Sequence, residues 1–159
     1  MNELSRSARA VQEALDSHGV VCEVKELPST TRSAKDAARS IGCTVQEIAK
    51  SIVFRGTSSG QPVLVIASGT NRISEQWVGT AVGEPIEVAT ADFVRQATGF
   101  AIGGVPPLGH RTAIRTYIDE DLLKLPIVWA AAGTPFAVFA IPPATLVELT
   151  TGTLIRVTP

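Results

Sequence analysis

Apolar residues recur at helical spacing over Leu4, Ala8, Val11 and Leu15, with Ala14 beside them, and Gly19 follows where a helix would end. The spacing predicts an amphipathic first helix. Val20, Cys22 and Val24 then alternate with Val21, Glu23 and Lys25, the period of a half-buried strand that stops before Pro28. A short helix through Ala34, Ala37, Ala38 and Ile41 is expected next, capped by Thr30 or Thr31 and ended by Gly42. Thr44-Val45-Gln46-Glu47 is a capping-box pattern and predicts a brief helix over residues 45–49. Residues 50–55 carry β-branched and aromatic side chains, and strand alternation puts Lys50, Ile52 and Phe54 on one face. A Gly/Ser loop over 56–60 leads to a returning strand at 62–67, which should pair antiparallel with it.

Further along, Ser74 is placed to cap a helix whose apolar side is Ile73, Trp77 and Val78. A short strand at 86–88 precedes a Thr90-capped helix over 92–97. Residues 112–118 read as a strand and 119–123 as an acidic helical turn. Two apolar strands follow at 127–131 and 136–141, then a helix opened by Pro142-Pro143 and a last strand at 154–157. Strands outnumber helices and several connections are of hairpin length, so the fold class is α+β with a mixed, largely antiparallel sheet.

The stretch from 99 to 110, GFAIGGVPPLGH, fits neither pattern. Its four glycines and adjacent prolines require a shaped loop, because glycine admits positive φ and close backbone approach while proline fixes φ and removes a donor. Two readings are open: a tight corner after a helix ended by Gly99, or a loop whose amides at Gly103, Gly104 and Val105 face a ligand. Lys50 has a similar ambiguity. It sits either at a strand end with its head in water, or beside a cavity where an anionic group meets it.

Composition narrows the function. The chain has 159 residues, 45% apolar and 18% charged, with a formal charge of −1, so one ordered domain over 1–159 is expected. A protein that wraps DNA through a broad basic surface is excluded, although a local contact with an RNA end is not. No apolar run approaches the ~20 residues of a membrane span, and the N-terminus lacks a signal peptide's apolar middle, so a cytoplasmic protein is expected. Cys22 and Cys43 lack metal-ligand spacing and read as small buried side chains or reduced thiols. Asp119, Glu120 and Asp121 are consecutive and read as a solvated turn rather than a metal cluster. No GxSxG, Walker, HExxH or CxxC pattern occurs, so neither metal nor cofactor is expected. Arg72 is a candidate phosphate contact, and His110 a candidate for either a hydrogen-bonded structural role or proton transfer.

Four stretches together carry a resemblance: the glycine loop, Lys50-Ser-Ile-Val-Phe54, the Ala131–Gly133 run before an apolar strand, and residues 142–149. In order and spacing the chain resembles the YbaK/prolyl-tRNA-synthetase-associated domain family, whose members are aminoacyl-tRNA deacylases. The resemblance implies a compact, partly closed mixed sheet around a helix. It implies hydrolysis of the ester of a mischarged tRNA, tRNA-Pro or a related one carrying a small amino acid such as alanine, serine or cysteine. With no synthetase module attached, the reaction would be trans-editing; the alternative is a module that binds tRNA ends or a protein without turnover. The partner implied is the acceptor end of aminoacyl-tRNA, with a synthetase as a further one. The residues implied for catalysis are Lys50, Gly103 and Gly104, with Gly99, Val105, Pro106, His110, Thr31 and Gly133 around the substrate. Water activation by a hydroxyl of the terminal ribose is also implied. Pro106-Pro107 departs from relatives with small or polar residues there, so the amino acid edited does not carry over.

Overall fold

A computed structural model describes residues 4–159. Ser5 accepts the amide of Ala8 (3.3 Å) and opens α1 (Arg6–Ser17), whose Ala8, Val11 and Leu15 are fully buried. The strand expected at 20–25 contracts to β1 (Lys25–Glu26). Gln12 on α1 is the cause: its side-chain amide donates to the Cys22 carbonyl and accepts from Val24 N–H, each at 2.8 Å, and so takes groups that a ladder would need. Helix α2 (Ala34–Ile41) is capped by Ser33, which accepts Asp36 N–H at 3.0 Å, and not by Thr30 or Thr31. Thr31 is engaged elsewhere, its hydroxyl donating to the Pro135 carbonyl at 2.7 Å. The capping box forms, with Thr44 N–H on Glu47 Oε1 at 2.9 Å, but it encloses a single 3₁₀ turn, Val45–Glu47, because Ile48 and Ala49 are drawn into the next strand.

That strand, β2 (Ile48–Gly56), pairs antiparallel with β3 (Pro62–Ser68) as expected. There follow α3 (Glu75–Val82), capped by Ser74, then β4 (Ile86–Val88) and α4 (Ala91–Thr98), capped by Thr90. After the glycine loop come β5 (Arg115–Asp119), a 3₁₀ turn Glu120–Lys124, β6 (Val128–Ala131), β7 (Ala137–Ile141), α5 (Pro143–Thr150) and β8 (Thr153–Ile155). The fold is α+β around one eight-stranded mixed sheet in the order β1-β7-β6-β2-β3-β5-β8, with β4 paired to β2. Pairs β2–β6, β3–β5 and β5–β8 are parallel and the others antiparallel. The end strands β1 and β8 do not pair with each other, so the sheet stays open.

Alternation along β2 and β3 feeds two cores. Ala49, Val53, Leu64 and Ile66 face the larger one, with α1, α4 and the loop residues Phe100, Val105 and Leu108. Phe54, Val63, Val65 and Ala67 face a smaller one closed by Val78 and Val82 of α3. Trp77, expected on the apolar side of α3, lies 43% exposed with the Arg156 guanidinium 6.0 Å above its ring. The acidic turn also differs from expectation. Asp119 is 1% exposed, and its carboxylate accepts from Ser68 N–H (3.1 Å), Asn71 Nδ2 (2.7 Å) and Asp121 N–H (3.0 Å). Buried carboxylates persist when hydrogen-bonded in this way.

Candidate active site

A strand has two hydrogen-bonding edges, and β3 occupies one edge of β2 along its whole length. The other edge is shared. β6 pairs with it only at Ile48 and Ala49, and β4 only from Phe54 to Gly56, with Ala89 N–H reaching Val53 O at 3.2 Å. Between the two partners the edge at Lys50–Val53 opens onto a cavity of about 430 Å³. That size suits a small-molecule-sized group, and the lining is mostly small and apolar. Val53, Val94, Val105, Ala130 and Val138 form much of its wall, while Val88 and Ile102, 62% and 55% exposed, stand at its rim.

Two cations belong to this lining, Lys50 and Arg32. Among the described residues Lys50 makes neither an ion pair nor a side-chain hydrogen bond. Partial burial pushes its ammonium below the usual lysine range, and the negative charge of Asp119 pulls the other way. Lys50 is thus a half-buried cation with neither an ion pair nor a hydrogen-bond partner among the described residues. Arg32 precedes the Ser33 cap, is exposed, and lies across from Gly103, whose missing Cβ would stand 3.6 Å from Arg32 Cγ. Nothing in sequence spacing marks Arg32, because loop geometry alone brings it there. Arg72 is exposed and is not part of this wall.

The glycine loop divides into parts with different duties. Gly103, at φ +94°, and Val105 line the cavity, and among the described residues neither amide has an acceptor. Gly104 differs from the expectation of a free donor: its amide donates to Ala101 O at 3.1 Å, and a Cβ there would stand 2.7 Å from the backbone of Thr134. Its carbonyl accepts Gly133 N–H at 2.8 Å, so Gly104 joins two loops backbone to backbone. Gly133, at φ +95°, is pressed against the Ser7 carbonyl, only 2.6 Å from where its Cβ would be. Gly99 ends α4 in the left-handed conformation and faces Arg111. His110 donates from Nε2 to the Pro106 carbonyl at 2.7 Å, and burial lowers its pKa while that bond opposes the shift. Thus of the residues expected around a substrate, Lys50, Gly103, Val105 and Thr31 meet at the cavity, whereas Gly99, Gly104, Pro106, His110 and Gly133 lie behind it and shape it. Thr31 takes part as wall, its hydroxyl being held by Pro135.

The chemistry available is that of a mostly apolar cavity with two cations in its lining, two amides without acceptors and one unpartnered ammonium. No group of acidic, histidine or cysteine side chains that could hold a metal occurs among the described residues. Among the described residues no helix is long and apolar enough to cross a membrane.

Known proteins resemble the chain in sequence and fold. Residues 28–149 match the model of the aminoacyl-tRNA editing domain. A crystal structure put forward as a trans-editing enzyme for prolyl tRNA synthetase superposes with a TM-score of 0.92 at 47% identity, over 99% of each chain. YwhH of Bacillus subtilis, an uncharacterized protein, is 29% identical over 126 residues, 79% of this chain and 80% of its own. EbsC of Enterococcus faecalis, put forward as a Cys-tRNA(Pro)/Cys-tRNA(Cys) deacylase, is 25% identical over 127 residues, 79% of this chain and 77% of its own.

Proposed function

The chain belongs to the aminoacyl-tRNA editing domain family, and from that premise we propose that it is a trans-editing deacylase that hydrolyses the ester of a mischarged tRNA. The observation that carries this is the break in the β2 edge, where an unpartnered Lys50 and the acceptor-free amides of Gly103 and Val105 line one cavity. An aminoacyl ester needs no strong nucleophile. Water adds to the carbonyl carbon, the tetrahedral oxyanion collapses, and the C–O bond to the ribose breaks as the sugar oxygen takes a proton. What a protein supplies is orientation and donors where the oxyanion forms. In this reading the Gly103 and Val105 amides are those donors. Lys50 and Arg32 hold the phosphate-bearing 3′ end at the mouth, and a hydroxyl of the terminal ribose assists the water.

The substrate is tRNA-Pro or a related tRNA carrying a small amino acid, in keeping with the small side chains of the wall. We further propose that residues 1–159 act as one editing unit, since α1 supports Gly133 through Ser7 and packs in the same core as the glycine loop. A cytoplasmic location and association with a synthetase follow as parts of the same proposal. Single-turnover deacylation across mischarged tRNAs tests it, with Lys50→Ala as control. Turnover that falls at least tenfold in a folded Lys50→Ala protein supports the assignment. Binding of tRNA ends with no turnover of any aminoacyl ester would instead identify a binding module.

A further inference from the structure

Inside the cavity the polar side chains account for themselves with one exception. The Thr31 hydroxyl donates to Pro135 O, and Ser33 Oγ accepts from Asp36 N–H as a helix cap. Lys50 and Arg32 also line it, and the deacylase reading assigns these cations to the anionic end of the substrate. Ser51 Oγ is different: it is buried and, among the described residues, it has no hydrogen-bond partner. A buried hydroxyl without a partner is unfavourable unless a ligand completes it. Ser51 is also one of the residues that line the cavity at the open edge of β2.

Its place in the strand says which part of the ligand that is. Successive side chains of a strand point to opposite faces, so Ser51 turns with Ala49 and Val53 toward the larger core, away from Lys50 and Ile52. Lys50 is only half-buried, and in the deacylase reading it holds the nucleotide end on its own side. The buried Ser51 hydroxyl therefore meets the group that goes deepest, the amino acid, in a wall otherwise formed there by Val53, Val94, Val105 and Ala130. Building on the deacylase reading, the geometry points to Ser51 as the residue that sets amino-acid specificity, by hydrogen-bonding a hydroxyl on the substrate's side chain. A seryl ester completes the pair. An alanyl ester of nearly the same size leaves Ser51 as it is in the free protein, and a cysteinyl thiol is a weaker partner than a hydroxyl. The preference follows in the order serine, cysteine, alanine, because a site that hydrogen-bonds a substrate group discriminates against the analogue lacking it.

The test compares Ser51→Ala with the unaltered protein on seryl-tRNA and alanyl-tRNA of one tRNA, by single turnover. Thermal-shift binding of non-hydrolysable seryl- and alanyl-adenosine amides runs beside it. In the variant the single-turnover rate for the seryl substrate is expected to fall about tenfold or more and that for the alanyl substrate to change by less than about twofold, while the melting temperature of the free protein does not fall, since no intramolecular partner is lost. Equal losses on both substrates would place Ser51 against a part common to them and overturn the inference, as would equal binding of the two amides by the unaltered protein. If the unaltered protein binds neither amide and cleaves neither ester, the deacylase reading itself is what fails.

Discussion

At the residue scale, adjacent glycines of the loop make opposite predictions. A methyl at Gly104 would stand 2.7 Å from Thr134 N and Cα, which are backbone atoms and cannot swing aside. Gly104→Ala is therefore expected to destabilise the fold by at least ~2 kcal/mol, as overpacking against rigid neighbours does. Gly103 has room, its nearest neighbours being Arg32 Cγ at 3.6 Å and Pro135 Cγ at 3.9 Å, but it holds φ at +94°. Gly103→Ala should cost ~1–2 kcal/mol for that conformation and, because the residue faces the cavity, should lower turnover per folded molecule. Thermal unfolding and single-turnover rates on the two variants separate the scaffold from the site; matching losses in both would remove the distinction. His110 gives a pH signature. Its folded pKa is depressed by burial, so the fold favours the neutral imidazole that donates to Pro106. This contribution is present above the ordinary histidine value and is lost as pH falls through the folded one. Between pH 6.5 and 5 the melting temperature of the unaltered protein should fall more steeply than that of His110→Gln, which has no charge to gain; parallel curves would refute the role.

At the element scale, what made the fold legible is period and punctuation. Ser74, Thr90, Gly42 and Gly99 cap or end helices where their chemistry predicts, and β2 and β3 pair as a hairpin. What the sequence hid was long-range competition for backbone groups. Gln12 reaches across from α1 to hold Cys22 and Val24, and no local pattern announces that a side chain replaces a strand partner. The site shows the same division. Lys50 and the glycine loop were visible, but the cavity exists because β6 and β4 divide one edge of β2, and only the topology shows this. Asp119 is the other concealed element: read as part of a solvated turn, it ties β5 to Ser68 at the end of β3 and to Asn71 beyond it, and its charge acts on Lys50 of β2. Asp119→Asn should lower stability by ~1–3 kcal/mol, since a donor group would face the donors it now accepts from. The variant should also bring the alkaline loss of deacylation to lower pH, because a charge that opposes the lowering of the Lys50 pKa by burial is gone. An alkaline limb at the same pH in both proteins would show that Lys50 does not act as a cation.

At the scale of the whole molecule, the near balance of charge limits how this protein handles a polyanion. Fourteen Lys and Arg against fifteen Asp and Glu leave a net −1, and several of the acidic groups hold structure, as Glu84 does where Ser58 and Ser59 of the β2–β3 loop donate to it. In the proposed function, recognition of a nucleic acid then rests on local fields, and the cavity has two cations in its lining, Lys50 and Arg32. This also separates what was legible from what was not: net charge predicted a small contact, whereas the placement of Arg32 beside Gly103 comes from the path of the chain before α2. Each single-strand phosphate neutralised contributes about −0.7 to the slope of log K against log salt, so two contacts predict a slope of about −1.4 for binding the 3′ end. Lys50→Ala and Arg32→Ala should each bring it to about −0.7, and the double variant should leave almost no salt dependence. Titration of a labelled 3′-terminal oligonucleotide at several salt concentrations measures these slopes. A slope steeper than about −4 in the unaltered protein, unchanged by either substitution, would mean that phosphates are held by a surface other than the opening in β2.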